Sequence, residues 1–272
     1  MLSRIVMTLV FALLVTARTT CTWAADSTVT TPNATLRLLD GGMTAGAGLA
    51  GVALELAPGW KTYWRVPGDT GVPPDFDWSG STNVAKAEVL WPAPHRMSDG
   101  QGGEVIGYTD TVVFPVRVTA SDPAKPVALH LRLHYAVCHD ICLPGDAELA
   151  LPLGEGADKP AITAGLSTVP VDDPNAPLSV AKAALDSSGT SPALVLELAG
   201  TDVSPKADIL VEGPAIAYFG APVDGGPLTD GHGRRFTLPV SVTGDAAALR
   251  GAQIVLTVLD GETRLVRQAT IR

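Results

Sequence analysis

Short stretches of alternating apolar and polar residues follow one another along most of the chain. Each is rich in Val and Leu, and Pro, Gly, Asp or Asn separates it from the next. They are AGVALELAP, NVAKAEVLWP, TVVFPVRVT and VALHLRLHYAV in the first half, and PALVLELAG, KADILVEGP, RRFTLPVSVTG and AQIVLTVLDG in the second. Amphipathic helical periodicity is weak. The pattern, with 28 Gly and 22 Pro for turns, predicts an all-β sandwich protein.

The strand pattern is interrupted once, between Gly154 and Pro177. GEGADKP and VDDPNAP have the composition of a linker, with room for a short helical turn between them. The interruption predicts two domains. We place the first at residues 26–155, the linker at 156–177 and a second β-sandwich domain at 178–272.

The two halves also resemble each other. FPVRVTASDPAKPVALHLRLHYAV aligns with LPVSVTGDAAALRGAQIVLTVLDG, and a proline occupies the same place in both. Where the first copy continues into a loop with two cysteines, the second has Asp260 and Gly261. The alignment suggests a duplicated sandwich in which one copy carries the chemistry.

Residues 1–25 are typical of a secretory signal peptide. Arg4 precedes a short apolar core, IVMTLVFALLV, and small residues suited to cleavage end at Ala24 and Ala25. The core is too short for a comfortable membrane span, and no later segment approaches that length, so we expect no membrane insertion. Cys21 would leave with the peptide. The mature protein would then have two cysteines in an oxidising compartment, the periplasm.

The charge balance disfavours two classes of partner. The sequence has 28 acidic and 19 basic residues, a net charge of −9 at pH 7, and no basic cluster. Nucleic acids and anionic lipid surfaces, which attract clusters of Lys and Arg, are therefore not expected to bind.

The candidate chemistry lies in YAVCHDICLP, residues 135–144, where Cys138 and Cys142 are separated by three residues. A structural disulfide is one interpretation. It would close a loop of five residues, for which the chain-entropy model gives a stabilisation of only about 2 kcal/mol. Disulfides that stabilise sandwiches usually join residues far apart in sequence. The pair would therefore stabilise the fold weakly.

Metal binding is a second interpretation. Regular alternation places His130, His134 and Cys138 on one strand face, together with Arg132 and Ala136, and His139 and Cys142 would extend the set toward Cu(I) or Zn(II). However, His130 and His134 would lie about 13 Å apart along a strand. A second cysteine pair, which structural zinc sites usually have, is also missing from the sequence.

Redox exchange is the interpretation that the residues favour. A pair in a small loop at an exposed strand end can open and close without unfolding the domain. A protonated His139 would favour a thiolate, and Asp140 would oppose it. Pro144 and Gly145 prevent a helix from starting after the pair, so we expect a slower thiol that reacts with a specific partner. The two cysteines would carry the electrons themselves, without an organic cofactor or a metal.

These residues resemble the periplasmic N-terminal module of the DsbD/ScsB family of thiol:disulfide interchange proteins, on its ScsB branch. The resemblance covers LAPGWKTYWRVPGDTGVPPDFDWSGS, VLWPAPHRM, GEVIGYTDTVVFPVRV and YAVCHDICLP. It implies two immunoglobulin-like β-sandwich domains in tandem. It also implies a protein-disulfide reductase function, in which electrons arrive from a membrane-embedded thiol reductase and leave to periplasmic thioredoxin-like proteins.

The resemblance further implies roles for single residues. Cys142 would form the mixed disulfide with a partner, and Cys138 would resolve it. Tyr63 and Trp64 lie where the family has active-site tyrosines. Residues 91–108 match the family's cap loop, which shields the cysteines, but lack its phenylalanine; Trp91, His95 and Met97 are the candidate substitutes.

Two other functions remain open at this point. One is a copper-binding or copper-tolerance module that uses Cys138, Cys142, His139 and Met97. The other is a non-catalytic adaptor with an inert disulfide.

Overall fold

A computed structural model describes residues 26–68, 71–100, 102–200, 203–229 and 231–272. The predicted signal peptide, with Cys21, lies outside the described residues. The regular secondary structure of the described residues is almost entirely antiparallel strand, which confirms the all-β prediction.

The first domain has eleven strands in two sheets. They are β1 (Thr28–Thr30), β2 (Ala34–Thr44), β3 (Ala47–Leu56), β4 (Lys61–Gly68), β5 (Asp75–Asp77), β6 (Val84–Val89), β7 (His95–Ser98), β8 (Glu104–Thr109), β9 (Thr111–Ala120), β10 (Ala128–Cys138) and β11 (Cys142–Pro152). One sheet has the order β1-β2-β3-β9-β6, and the other has β11-β10-β4-β8-β7 with β5 beside β10. Alternate side chains such as Val52, Phe114 and Leu131 are fully buried between the sheets.

A helix lies within the predicted linker. Helix α1 (Lys159–Leu166) has a proline at its first turn and buries Ile162 against Leu39 and Ala53 of the first domain. The Asp40 amide donates to the Asp158 carboxylate at 3.0 Å, just before the helix. The start of the linker is therefore attached to the first sandwich.

The second domain repeats the two-sheet design. Its strands are β12 (Leu178–Asp186), β13 (Ala193–Gly200), β14 (Asp208–Glu212), β15 (Ala217–Phe219), β16 (Val223–Pro227), β17 (Gly233–Val242), β18 (Gln253–Asp260) and β19 (Thr263–Thr270), with a 3-10 turn at Ala246–Leu249. One sheet has the order β12-β13-β17-β15 with β16 beside β17, and the other has β14-β18-β19. Leu196, Phe236 and Leu256 are fully buried between them. The protein thus has two immunoglobulin-like sandwiches in tandem, as predicted.

The side chains of strand β14 pack in the cores of both domains. Ile209 and Val211 pack in the core of the second domain. Leu210, which is 1% exposed, packs in the core of the first. Since successive side chains of a strand point to opposite faces, β14 packs in both sandwiches at once and joins them.

Among the described residues, no helix has the length and apolar character needed to cross a membrane.

A candidate redox site at the β10–β11 hairpin

The two cysteines face each other at the end of a β-hairpin. Cys138 ends β10, Cys142 begins β11, and they are directly paired across the hairpin. The three residues between them close the turn, with the His139 amide donating to the Ile141 carbonyl at 3.2 Å. The sulfurs form a disulfide with an S–S distance of 2.04 Å. Strand β11 begins at Cys142, so the element that follows the pair is a strand and not a helix.

The two halves of the disulfide differ in exposure. Cys138 is 1% exposed, because β10 is an interior strand with β4 on its other side and Lys61 paired to Cys138. Cys142 is exposed, because β11 is the edge strand of the sheet. A partner can therefore approach the disulfide from the side of Cys142, because Cys138 is the buried residue of the two.

Tyr63 contacts both sulfurs from β4. Its hydroxyl oxygen lies 2.5 Å from Cys138 Sγ and 3.1 Å from Cys142 Sγ. Because a disulfide sulfur carries no hydrogen, the phenol is the donor. Burial raises the pKa of Tyr63 above its ordinary value, so the hydroxyl keeps its proton at neutral pH. The neighbouring Thr62, fully buried, donates to the Ala136 carbonyl at 2.9 Å and fixes β4 against β10.

The β7–β8 hairpin covers the buried side of the disulfide. Val105 forms an apolar cluster with Tyr63, Ala136 and Cys138, and Met97 packs against that cluster. The open side is a shallow pocket of about 300 Å³. Its lining residues are Lys61, Tyr63, Asp99, Val105, Cys138, His139, Asp140, Ile141 and Cys142.

The loop between the cysteines presents both polar and apolar side chains to solvent. His139 packs against the turn before β4, with its ring centroid 6.0 Å from that of Trp60. Gly59 permits this approach: it has a φ of +82°, and a Cβ there would lie 2.9 Å from the imidazole. His139 Nδ1 is 3.0 Å from Asp140 Oδ2. Ile141 is 66% exposed, an apolar side chain at the tip of the hairpin.

Of the residues proposed as modulating or shielding, Tyr63, Met97, His139 and Asp140 lie at the disulfide. Trp64, Trp91 and His95 lie elsewhere.

Trp64 is buried in the core between the sheets, on the strand face opposite Tyr63. Trp91 packs edge-on against Phe76 and Phe114 in the same core. His95 is exposed and lines a separate cavity beside α1.

The structure also separates the histidines of the metal interpretation. His130 Nε2 lies 2.8 Å from Glu148 Oε1, and His134 contacts Asp146. Within the described ranges, no group of three or more His, Cys, Asp or Glu side chains could hold a metal ion.

Sequence reasoning missed Lys61, Trp60 and Val105 as parts of the site. Lys61 and Tyr63 are two positions apart in β4 and therefore share a face, but no strand was predicted over these residues. The contact between the hairpin loop and Trp60 depends on tertiary structure, which the strand pattern does not encode.

The comparisons with known proteins separate the two domains. Residues 40–154 match the family model described as thiol:disulfide interchange protein DsbD, N-terminal. Residues 168–272 match a family model described as a domain of unknown function, DUF8393.

Among solved structures, the crystal structure of the N-terminal periplasmic domain of ScsB from Proteus mirabilis is similar over almost its whole length. The sequence identity is 26% and the TM-score 0.75, with 91% of this chain and 98% of that chain covered. No curated protein matches this chain significantly.

Proposed function

We propose that this protein carries electrons between periplasmic proteins through reversible oxidation of Cys138 and Cys142. The first support is the family, because residues 40–154 are an N-terminal module of the DsbD/ScsB family. The donor would be a membrane-embedded thiol reductase and the acceptors would be thioredoxin-like proteins. The observation that supports this most is the exposure difference within the disulfide: Cys142 is an exposed residue, and Cys138 is buried beside a hydroxyl donor.

Loading with electrons would begin at the exposed sulfur. A thiolate of the donor attacks Cys142 Sγ, the intramolecular S–S bond breaks, and Cys138 leaves as a thiolate that takes up a proton. The donor's second thiol then attacks the mixed disulfide. The donor departs as a disulfide, and this protein holds two thiols.

Delivery would reverse these steps with the acceptor. The Cys142 thiolate attacks the acceptor's disulfide, and Cys138 then attacks Cys142 Sγ to release the acceptor as a dithiol. Two electrons and two protons move in each cycle, so the reaction needs no cofactor or metal. The Tyr63 hydroxyl, placed beside Cys138 Sγ, would donate to the negative charge that develops there.

Specific partner choice would come from the surroundings of the pair. A partner that reaches Cys142 would contact Ile141 and His139, which line the same pocket. A partner that buries the exposed Ile141 side chain gains apolar contact area.

Electron transfer to a thioredoxin-fold protein tests the proposal. The mature protein is reduced, freed of reductant and mixed with an oxidised thioredoxin-fold protein. Thiols on both are then counted by alkylation and mass measurement. The proposal predicts that two thiols disappear here as two appear on the acceptor. Retention of both thiols in this protein, with an acceptor that stays oxidised, would contradict it.

The Cys142→Ser variant serves as the control for that experiment. It keeps the buried Cys138 thiol but lacks the exposed sulfur, and it should transfer nothing.

A further inference from the structure

Both elements that cover the disulfide are held by one strand of the second domain. Tyr63 lies on β4, and Met97 and Val105 lie on the β7–β8 hairpin. Strand β14 contacts β4 through Glu212 and the hairpin through Asp208. These contacts connect the second domain to the redox site, although none of its described residues lines the disulfide pocket.

Arg96 forms the connection to the hairpin. Its Nε donates to Asp208 Oδ1 at 2.7 Å, its Nη2 donates to the Ile209 carbonyl at 3.0 Å, and its Nη1 contacts Glu104. The Arg96 side chain is 13% exposed, so these bonds form away from bulk water. Tyr218 of the second domain adds a bond to Glu104 at 2.7 Å. The guanidinium therefore ties both strands of the hairpin to β14.

Arg96 and Met97 are consecutive residues of β7, so their side chains point to opposite faces of the strand. Met97 packs on the cluster around Cys138, and Arg96 points to the second domain. The contacts that fix the backbone at Arg96 therefore also fix the position of Met97, the next residue.

Arg65 forms the connection to β4. Its Nε and Nη2 donate to the two oxygens of Glu212 at 2.8 and 2.6 Å. Its guanidinium carbon also lies 4.3 Å from the ring centroid of the buried Trp64. This two-bond geometry orients the arginine as well as attracting it. Arg65 is two positions after Tyr63, the residue that contacts both sulfurs.

The sheet itself holds this region weakly. The pairing of β4 with β8 loses its register between Tyr63 and Gly68, and β7 is the edge strand. Leu210 of β14 fills part of the first core in the same region. Contacts from β14 therefore supply support that regular strand pairing does not give here.

We propose that β14 is a positioning element for the redox site, with Asp208 acting through Arg96 and Glu212 acting through Arg65. Together they hold Met97 and Tyr63 over the disulfide and so limit access to it. The inference rests on the proposed function only for its role in the cell. What it predicts is the rate at which the disulfide is attacked, and that rate does not depend on the natural partner.

The test compares the full mature protein with an Asp208→Asn/Glu212→Gln double variant. These substitutions keep the side-chain size but remove both carboxylate charges. The matched control is Glu197→Gln, which removes a carboxylate paired with Arg235 within the second domain. Two quantities are measured: the rate constant for disulfide reduction by tris(2-carboxyethyl)phosphine, and hydrogen exchange of the amides of residues 95–107.

The double variant should be reduced about tenfold faster, the scale of one weakened charge-assisted bond. Its hairpin amides should exchange faster, and the control should match the unsubstituted protein in both measurements. Arg96→Lys should show the same direction, because an ammonium cannot reach the three acceptors of a planar guanidinium. This second variant retains the charge, which guards against a general folding defect.

Unchanged reduction rates in the double variant and in Arg96→Lys would overturn the inference, whether or not the hairpin amides exchange faster. The proposed function could fail separately. If the pair reacts with the phosphine but never exchanges with a thioredoxin-fold protein, the rate comparison still decides the role of β14.

Discussion

The two sandwiches share the order of their central strands but differ at the sheet edges, above all beside β4 and β14. In the first domain, β2-β3-β9 lies within one sheet and β11-β10-β4 begins the other; in the second, β12-β13-β17 and β19-β18-β14 repeat this order. The first domain then adds β8 and β7 next to β4. In the second domain the sheet ends at β14, whose outer face lies against the first domain. Such agreement is what a duplicated sandwich predicts.

The corresponding hairpins differ in their loops. In β10–β11 the cysteines are paired across a three-residue loop. In β18–β19, Asp260 is paired with Thr263 across two residues, one of which is Gly261 with a φ of +59°. The strands therefore provide a scaffold common to both domains. In the proposed function, the chemistry would come from one loop and from the β7–β8 hairpin, which has no counterpart beside β14 among the described residues of the second domain.

Removing one cysteine should have the largest effect. Cys138→Ser leaves the exposed thiol of Cys142, and Cys142→Ser leaves the buried thiol of Cys138; either variant should lose two-electron exchange completely. Because accessibility limits thiol reactions, the Cys142 thiol should react with Ellman's reagent at least about tenfold faster than the Cys138 thiol. Equal rates in the folded variants would contradict the difference in exposure.

Removing an arginine at the domain junction should cost more than removing one within the second domain. Arg96→Ala leaves Asp208 and Glu104, both about three-quarters buried, without their cation. Loss of one partner from a buried pair costs about 3–5 kcal/mol in the free energy of unfolding. Arg235→Ala breaks a pair whose arginine is 50% exposed and should cost below about 1 kcal/mol.

Urea denaturation of both arginine variants checks this prediction. Similar midpoints for the two would contradict the claim that the domain junction is the more strongly held.

The two domains should also differ in alkaline stability, since three of the four tyrosines lie in the first. Burial raises the pKa of Tyr63 and Tyr135, and raises that of Tyr108 well above its ordinary value. The folded state then keeps protons that the unfolded state releases above about pH 10. The stabilisation is fully present below that pH and is lost as pH rises toward the folded-state values, by at most about 1.4 kcal/mol per pH unit for each tyrosine.

Urea midpoints between pH 8 and pH 11 measure this slope, and Tyr108→Phe should reduce it. An unchanged slope in that variant would contradict the assignment to Tyr108.

Replacing His139 should have the smallest effect and separates exchange from copper binding. His139 pairs with Asp140 and packs on Trp60, and it lies in the loop between the cysteines, away from the buried apolar cluster around Cys138. His139→Gln should therefore change the exchange rate by less than about threefold, which corresponds to a surface interaction of up to about 0.7 kcal/mol. Stoichiometric Cu(I) binding by the reduced protein that His139→Gln abolishes would instead favour the copper function.

The strand pattern predicted much of the molecule. Leu129, Leu131 and Leu133, which alternate with His130 and His134 in the predicted strand, are buried. The cysteine spacing by itself left a disulfide, a metal site and a redox pair open, and the structure has a disulfide. The positions of Trp64 and Trp91 were less predictable, because an aromatic residue near an active-site motif can face either side of a strand.

The domain junction could not be predicted from local pattern alone. In KADILVEGP, Asp208, Leu210 and Glu212 are two positions apart and share one strand face. That pattern suits a face turned to solvent as well as one that contacts Arg96 and Arg65. The choice between the two depends on contacts across more than one hundred residues of sequence.

The reduction potential of the Cys138–Cys142 pair tests the central claim most directly. The purified mature protein is equilibrated in thiol redox buffers under metal-free conditions, and the fraction oxidised is followed by thiol alkylation. An electron carrier predicts a reversible two-electron transition well above about −300 mV. A disulfide that stays closed down to that potential would be a structural bridge and would contradict the redox function.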